Sequence, residues 1–340
     1  MGLSVSEFNY FERSSQGFSL DLATLYDGPE GLLIEKDAIQ GALSSMRELV
    51  DGAVANGSEN RMVGHYWLRA PELAPQVSIS SAIADSWNEL ESFVSQVGER
   101  FRQVVWVGTG GSSLGPQLLA AAQRFQPGAR RIDFLDNCDP TTYKRVLGHG
   151  DLSDTLFIIV SKSGRTSETM SALSVIEAEC EKRSIDASER IVAITTPNSA
   201  LHQKAQNERW LASFPIWDWV GGRTSVFSSV GLLTMMLLGG DFRAFLQGAK
   251  RMDEWTLDND LDDNPALAMA AALSESVDCG WPNLAILPYS DRLELLGRYL
   301  QQLVMESIGK PTVTDGEADE KGLTVYGNKG TTDQHAFVQQ

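Results

Sequence analysis

Between residues 102 and 195, short apolar runs recur at regular intervals, each followed by a polar or glycine-rich loop and then by residues with helical spacing. Val104-Val105-Trp106-Val107 predicts a strand, with a Gly/Ser loop behind it and a helix to about Phe125. Ile132-Asp133-Phe134-Leu135 predicts a second strand, and residues 141–147 a short helix. The run 155–160 predicts a third strand, leading to a helix from about Glu168 to Lys182, and residues 191–195 predict a fourth. Strands that are apolar throughout and alternate with helices predict an α/β fold, a doubly wound parallel sheet covered on both faces. Outside this region the pattern changes. Residues 37–53 and 81–101 have helical spacing, and residues 227–278 read as helical throughout. A second α/β unit begins with an apolar run at 284–287, a helix from Asp291 to about Ile308 and a strand starting at Leu323.

The pattern divides the chain into a largely helical extension over 1–60, a first α/β domain over 61–257, a linker and helix over 258–282, and the start of a second α/β domain over 283–340. Its 340 residues suffice for two packed domains, and 42% hydrophobic with 21% charged residues is ordinary globular composition. A net charge of −17 argues against nucleic acid and anionic membrane surfaces as partners. It also requires any anion site to act locally, against the overall field. The apolar run from Val230 to Gly240 is too short to span a bilayer, and residues 1–20 lack the basic start of a signal peptide. Cys138, Cys180 and Cys279 have neither metal-binding nor disulfide-framework spacing, which fits a reduced cytoplasm.

The most informative stretch is Ser-Lys-Ser-Gly-Arg-Thr-Ser-Glu-Thr at 161–169, directly behind an apolar strand and before a helix. A helix N-terminus presents unpaired N–H groups and the positive end of its dipole, which suits an anion. Five hydroxyl side chains exceed what a helix cap needs, so the loop reads as a phosphate cradle. Gly108-Thr109-Gly110-Gly111-Ser112-Ser113-Leu114-Gly115-Pro116 is a second such loop at a strand end. Ser113 stands where a dinucleotide fingerprint needs Gly, and no Gly-Lys-Ser/Thr follows, so both nucleotide motifs fail. Two hydroxyl-rich loops beyond strand ends, where α/β sheets bind ligands, favour a sugar phosphate. Gly221-Gly222-Arg223-Thr224-Ser225 reads equally as a surface turn or as an Arg leaning over an anion. Gln302 and Glu306 lie four apart and share a helix face, beside an apolar stripe of Leu293, Leu296, Leu300 and Leu303. That spacing alone also fits a solvated helix face, and His335 in its polar loop equally fits a structural role. His65, His149 and His202 have no supporting pattern.

Taken in order, 108–116, 161–169, 221–225, Gln302-Leu-Val-Met-Glu306-Ser-Ile-Gly-Lys310 and Asp-Gln-His-Ala-Phe at 333–337 resemble the phosphoglucose isomerase family. The likeness spans roughly residues 60–340. It implies two sugar-isomerase (SIS) domains of flavodoxin-like topology and interconversion of glucose 6-phosphate and fructose 6-phosphate through a cis-enediolate. By the same likeness Glu306 matches the family's base, His335 the group that opens the ring, and Arg223 the residue that steadies the enediolate. Gly111, Ser112, Ser161, Lys162, Ser163, Thr166 and Gly222 match the phosphate and substrate shell, and Gln302 a substrate-positioning Gln. No metal and no cofactor are implied. The resemblance further implies a cytoplasmic homodimer in which His335 serves the partner's site. Ile308 stands where the family usually has Asn. Family members carry a ring-opening lysine beyond the His motif to which no residue here corresponds, so the likeness also implies a truncated second sheet and low activity. The alternative is a SIS module that binds a sugar phosphate without catalysis.

Overall fold

Aromatic residues around Gly17, whose φ is +69°, favour a hairpin near the start of the chain. The computed structural model describes residues 3–4, 10–13, 17–22, 33–34, 36–56, 60–123, 130–148, 151–259, 263–309, 312–314, 317–319 and 322–339. In it β1 (Leu3–Ser4) pairs antiparallel with β4 (Leu33–Ile34), and β2 (Tyr10–Arg13) with β3 (Phe18–Asp21). The extension expected to be largely helical over 1–60 is thus helical, among its described residues, only in α1 (Lys36–Val50). Phe125, His149 and Lys310 lie outside the described residues.

α2 (Val77–Val97) leads into the main sheet: β5 (Gln103–Val107), β6 (Arg131–Leu135), β7 (Thr155–Val160), β8 (Ile191–Thr195) and β9 (Ala212–Pro215). All neighbours are parallel, in the order β6-β5-β7-β8-β9. This is the 2-1-3-4-5 order of a doubly wound, flavodoxin-like sheet, whose direction of winding reverses between β5 and β7. The strands are connected by α3 (Leu114–Gln123), α4 (Pro140–Gly148), α5 (Ser167–Lys182) and α6 (Ala200–Asn207).

Alternate side chains of a strand point to opposite faces, and two cores follow from that. Val104, Trp106, Leu156, Ile158, Val160, Val192 and Ile194 pack with Ile83, Leu90 and Phe93 of α2. Val105, Val107, Phe157, Ile159, Ile191 and Ala193 pack on the other face with Leu147 of α4 and Leu173 and Ile176 of α5. Every residue of β7 and β8 is buried, as a sheet covered on both sides requires.

The helical stretch expected over 227–278 is three helices: α7 (Ser229–Leu237), α8 (Phe242–Thr256) and α9 (Pro265–Asp278). Gly239, at φ +76°, ends the first, Asp241 caps the second, and Asn264 before Pro265 starts the third. The polar side chains of Asp241 and Asn264 accept the orphan amides of Ala244 and Leu267. Beyond them, β10 (Asn283–Ala285), α10 (Leu296–Ile308), β11 (Thr312–Thr314), β12 (Glu317–Asp319) and β13 (Thr324–Tyr326) complete the strands. β10 and β13 pair in parallel, with α10 in the connection between them, and α11 (Gly330–Gln334) follows. The helix expected from Asp291 is a 3-10 turn at Asp291–Leu293 and then α10.

Beside the sheet, His65 is pressed against Tyr66, with ring centroids 4.3 Å apart. Burial, and then the Arg69 cation, hold its pKa down at about 4. The folded state therefore favours the neutral ring. That preference stabilises the fold above pH 6.5 and is lost as pH falls from 6.5 through 4. Between pH 7 and pH 5 the loss comes to about 2 kcal/mol. Urea midpoints at the two pH values measure it, and His65→Gln should remove the difference; an equal pH dependence in the variant would assign it elsewhere.

Candidate active site

The switch between β5 and β7 brings the two hydroxyl-rich loops side by side at the carboxyl end of the sheet. Each loop is shaped by its own polar groups. Trp106, next to the carboxyl end of β5, donates its indole N–H to the carbonyl of Ser112 at 2.8 Å and draws the first loop back over the strand. In the second loop Gly164 has φ +67° and donates its N–H to Ser161. An added Cβ there would lie 2.8 Å from the backbone nitrogen of Leu201, so only glycine fits. The hydroxyls of Ser161 and Thr166 are 2.9 Å apart, across the mouth of the turn. Thr166 is the N-cap of α5, yet its side chain makes no capping bond. Its hydroxyl is turned to Ser161 instead, so capping does not account for this hydroxyl. Thr195 braces it from β8, donating to the carbonyl of Ser161 at 2.6 Å. Ser163 is exposed and Ser161 is buried.

Lys162 goes another way. Its ammonium donates to the carbonyls of Asp218 at 2.6 Å and Val220 at 2.8 Å. The lysine straps the 161–166 loop to the backbone that leads into Gly221-Gly222-Arg223. Sequence reasoning places this side chain in the phosphate shell; the geometry brings its ammonium onto two carbonyls, with the Asp218 carboxylate 3.9 Å away.

The 3-10 turn Gly222–Phe227 meets the first loop backbone to backbone. A Cβ on Gly111 would sit 2.3 Å from the oxygen of Gly222. Ser225 closes the junction, its hydroxyl 2.9 Å from the Gly111 oxygen and 2.8 Å from that of Gly222. Phe227, at the end of the turn, lies under the guanidinium of Arg69, 4.7 Å from the ring centre. Arg69 in turn holds both carboxylate oxygens of Asp253 in α8. Ser225, Trp106 and Thr195 have no role in the sequence reading, although Ser225 lies inside one of the motifs.

α10 supplies the last wall. The carboxamide of Gln302 faces the first loop, where a Cβ on Gly110 would come 3.0 Å from its nitrogen. One turn on, Gln302 donates to Glu306 at 3.0 Å, and the Glu306 carboxylate lies 3.9 Å from Nε of Arg223. Gly111, Gly222, Arg223, Gln302 and Glu306 therefore come together. The Glu306 side chain is 51% exposed, so the described part of the chain does not enclose it.

His335 is not among them. It follows α11, is exposed, and makes its described side-chain contact with Gln339 at 3.4 Å. Its segment packs through Phe337 and Tyr326, whose rings are 5.0 Å apart, near Gly297 and Gln301 of α10. The face of α10 with Gln302 and Glu306 is a different one. A cavity of about 790 Å³ between α4 and α5, lined by Tyr143, Leu147, Val175 and Arg183 among others, contains none of the expected site residues. Among the described residues no helix is long and apolar enough to cross a membrane.

The phosphoglucose isomerase family profile matches residues 33–340. The glucose-6-phosphate isomerase of Synechococcus sp. (strain JA-3-3Ab) is 50% identical over 311 residues, 88% of this chain and 58% of that protein. That of Prochlorococcus marinus (strain MIT 9313) is 46% identical over 336 residues, 95% of this chain and 61% of that protein. The chain thus spans about three fifths of the length of these curated relatives. Among solved structures, a glucose-6-phosphate isomerase from Chlamydia trachomatis superposes with a TM-score of 0.82 at 28% identity, covering 99% of this chain and 70% of that one. A tagatose-6-phosphate ketose/aldose isomerase from Escherichia coli, 16% identical with a TM-score of 0.51, covers 81% of this chain and 66% of that one and shares the fold. With five ordered motifs, a flavodoxin-like sheet and relatives of this identity in agreement, the chain belongs to the phosphoglucose isomerase family.

Proposed function

We propose that the chain binds a hexose 6-phosphate and carries the proton-transfer half of a glucose-6-phosphate isomerase site. One observation carries the reading: Gln302, Glu306 and Arg223 converge beside the glycine loop of β5, next to the hydroxyl turn of β7. The phosphate would lie on the Ser161–Thr166 turn and the uncapped amides of α5, with Ser112 and Ser163 as further donors. The sugar carbons would then extend toward α10. From the open-chain aldose, the Glu306 carboxylate takes the C2 proton and returns it to C1, while the proton of the C2 hydroxyl passes to the C1 oxygen, so that the C1 aldehyde becomes an alcohol and C2 a ketone. The electron pair passes through a cis-enediolate whose oxygen charge faces the Arg223 guanidinium. An arginine fixed before the reaction stabilises that charge without reorganising.

His335 is read as the ring-opening acid–base of the neighbouring site in a homodimer. Its exposure, and its place away from the Glu306 face of α10, support a role outside its own chain's site. A cytoplasmic setting fits the free cysteines.

The test is a calorimetric titration with fructose 6-phosphate alongside a coupled assay of glucose 6-phosphate formation. Saturable binding with turnover is expected. Binding without turnover would favour a non-catalytic sugar-phosphate module, and the absence of both would dismiss the reading.

A further inference from the structure

α10 carries a third side chain on the face of Gln302 and Glu306. Tyr299 is three residues before Gln302 and seven before Glu306, so all three lie along one side of the helix. Its hydroxyl donates to the carbonyl oxygen of Arg223 at 2.9 Å. The ring packs against the core beneath the sheet. Burial pushes the phenol up to about 12, opposed by the nearby Arg69 cation, so the group remains a donor through the neutral range.

The turn that bears Arg223 is fixed from two sides. Gly222 and Ser225 lock it to the Gly111 backbone, and Phe227 is held under Arg69. Both contacts tie the turn to the first α/β domain. The Tyr299 bond ties it to the helix that carries the carboxylate. Between the two charged side chains, Nε of Arg223 stands 3.9 Å from Glu306. That is beyond hydrogen-bond length, so a carboxylate lone pair stays open for a substrate proton. A closer arginine would occupy that lone pair; a more distant one would not reach the developing oxyanion.

We infer that Tyr299 is a positioning residue, whose hydroxyl, through the Arg223 carbonyl, sets the separation of the Arg223 cation from the Glu306 carboxylate. It touches no substrate atom. The inference rests on the proposed roles of Glu306 and Arg223, and it deepens them.

Tyr299→Phe keeps the ring and removes the bond. The expected result in the full chain is a fall in kcat of about tenfold, with KM for fructose 6-phosphate changed by less than about twofold. In an Arg223→Gln background the same substitution should change kcat by less than about twofold, because the group it positions is gone. Equal losses in the two backgrounds, or an unchanged kcat in Tyr299→Phe alone, would overturn the inference. Gln301→Ala controls for a merely structural loss. It deletes another bond from α10 to a carbonyl, 3.0 Å long and made to Val325 on a different face, and kcat should not move. Hydrogen exchange of the amides over 223–227 gives a readout without turnover: about tenfold faster in Tyr299→Phe if the tether holds the turn, unchanged if it does not. Should the unsubstituted chain turn over no sugar phosphate, the isomerase reading fails while exchange still decides the tether.

Discussion

Glu306→Gln should abolish exchange of the C2 proton of glucose 6-phosphate with solvent and lower conversion by about 10²–10⁴-fold, while sugar phosphate still binds. The substitution is close to isosteric and removes a carboxylate that the structure places at the meeting of Gln302 and Arg223. A carboxamide cannot take up a carbon-bound proton. The groups proposed to grip the phosphate lie on other elements, at Ser161, Ser163 and Thr166, and lose nothing. Binding measured by calorimetry and exchange measured by loss of deuterium from C2-labelled substrate separate the two effects. Exchange at the unsubstituted rate would remove Glu306 from the role of base. Loss of binding together with exchange would mean that the carboxylate shapes the site instead of reacting in it.

The central sheet was legible because its strands are unusually apolar. Leu156-Phe157-Ile158-Ile159-Val160 is buried on both faces, and such a run has few other places to go. β9 was not legible. Ala212-Ser213-Phe214-Pro215 has no β-branched residue and ends in a proline, which suits only the sheet edge it occupies. Residues 227–278 read as helical throughout apart from a polar linker before Asn264-Pro265; that break was legible, whereas the stop at Gly239-Gly240 and the cap at Asp241, which separate α7 from α8, were not used. The short strands near the N-terminus were missed because two-residue and four-residue pairings have no periodicity to read.

The site divides in the same way. Its loops follow from glycine and hydroxyl content at strand ends, which is local information. The bond from Tyr299 to Arg223 and the junction of Gly111 with Gly222 join residues 76 and 111 positions apart, and no spacing rule reaches that far. The direction of the Lys162 side chain is of this kind too. Nothing in the spacing of the loop says that its cation also bonds the carbonyls of Asp218 and Val220, more than fifty residues on.

That junction gives a second large expected effect. Gly111→Ala would place a methyl group 2.3 Å from the oxygen, 2.4 Å from the carbonyl carbon and 2.8 Å from Cα of Gly222. All three are backbone atoms, so no rotamer change relieves the clash, and one segment has to move by about 1 Å. The backbone at Gly111 is not in the left-handed region, so alanine carries no torsional penalty and the contact alone is tested. A shift of that size separates the β5 loop from the turn bearing Arg223, and should cost about 10²-fold in kcat/KM. Overpacking at the joint should also lower stability by about 1–3 kcal/mol. Gly248→Ala is the matched control: it lies within α8, its added Cβ meets nothing within 4 Å, and it should raise stability by about 1 kcal/mol without touching kcat. Steady-state kinetics and urea midpoints on both variants decide the matter. If Gly111→Ala kept both its activity and its stability, the two loops would not be the rigid joint on which the placement of Arg223 depends.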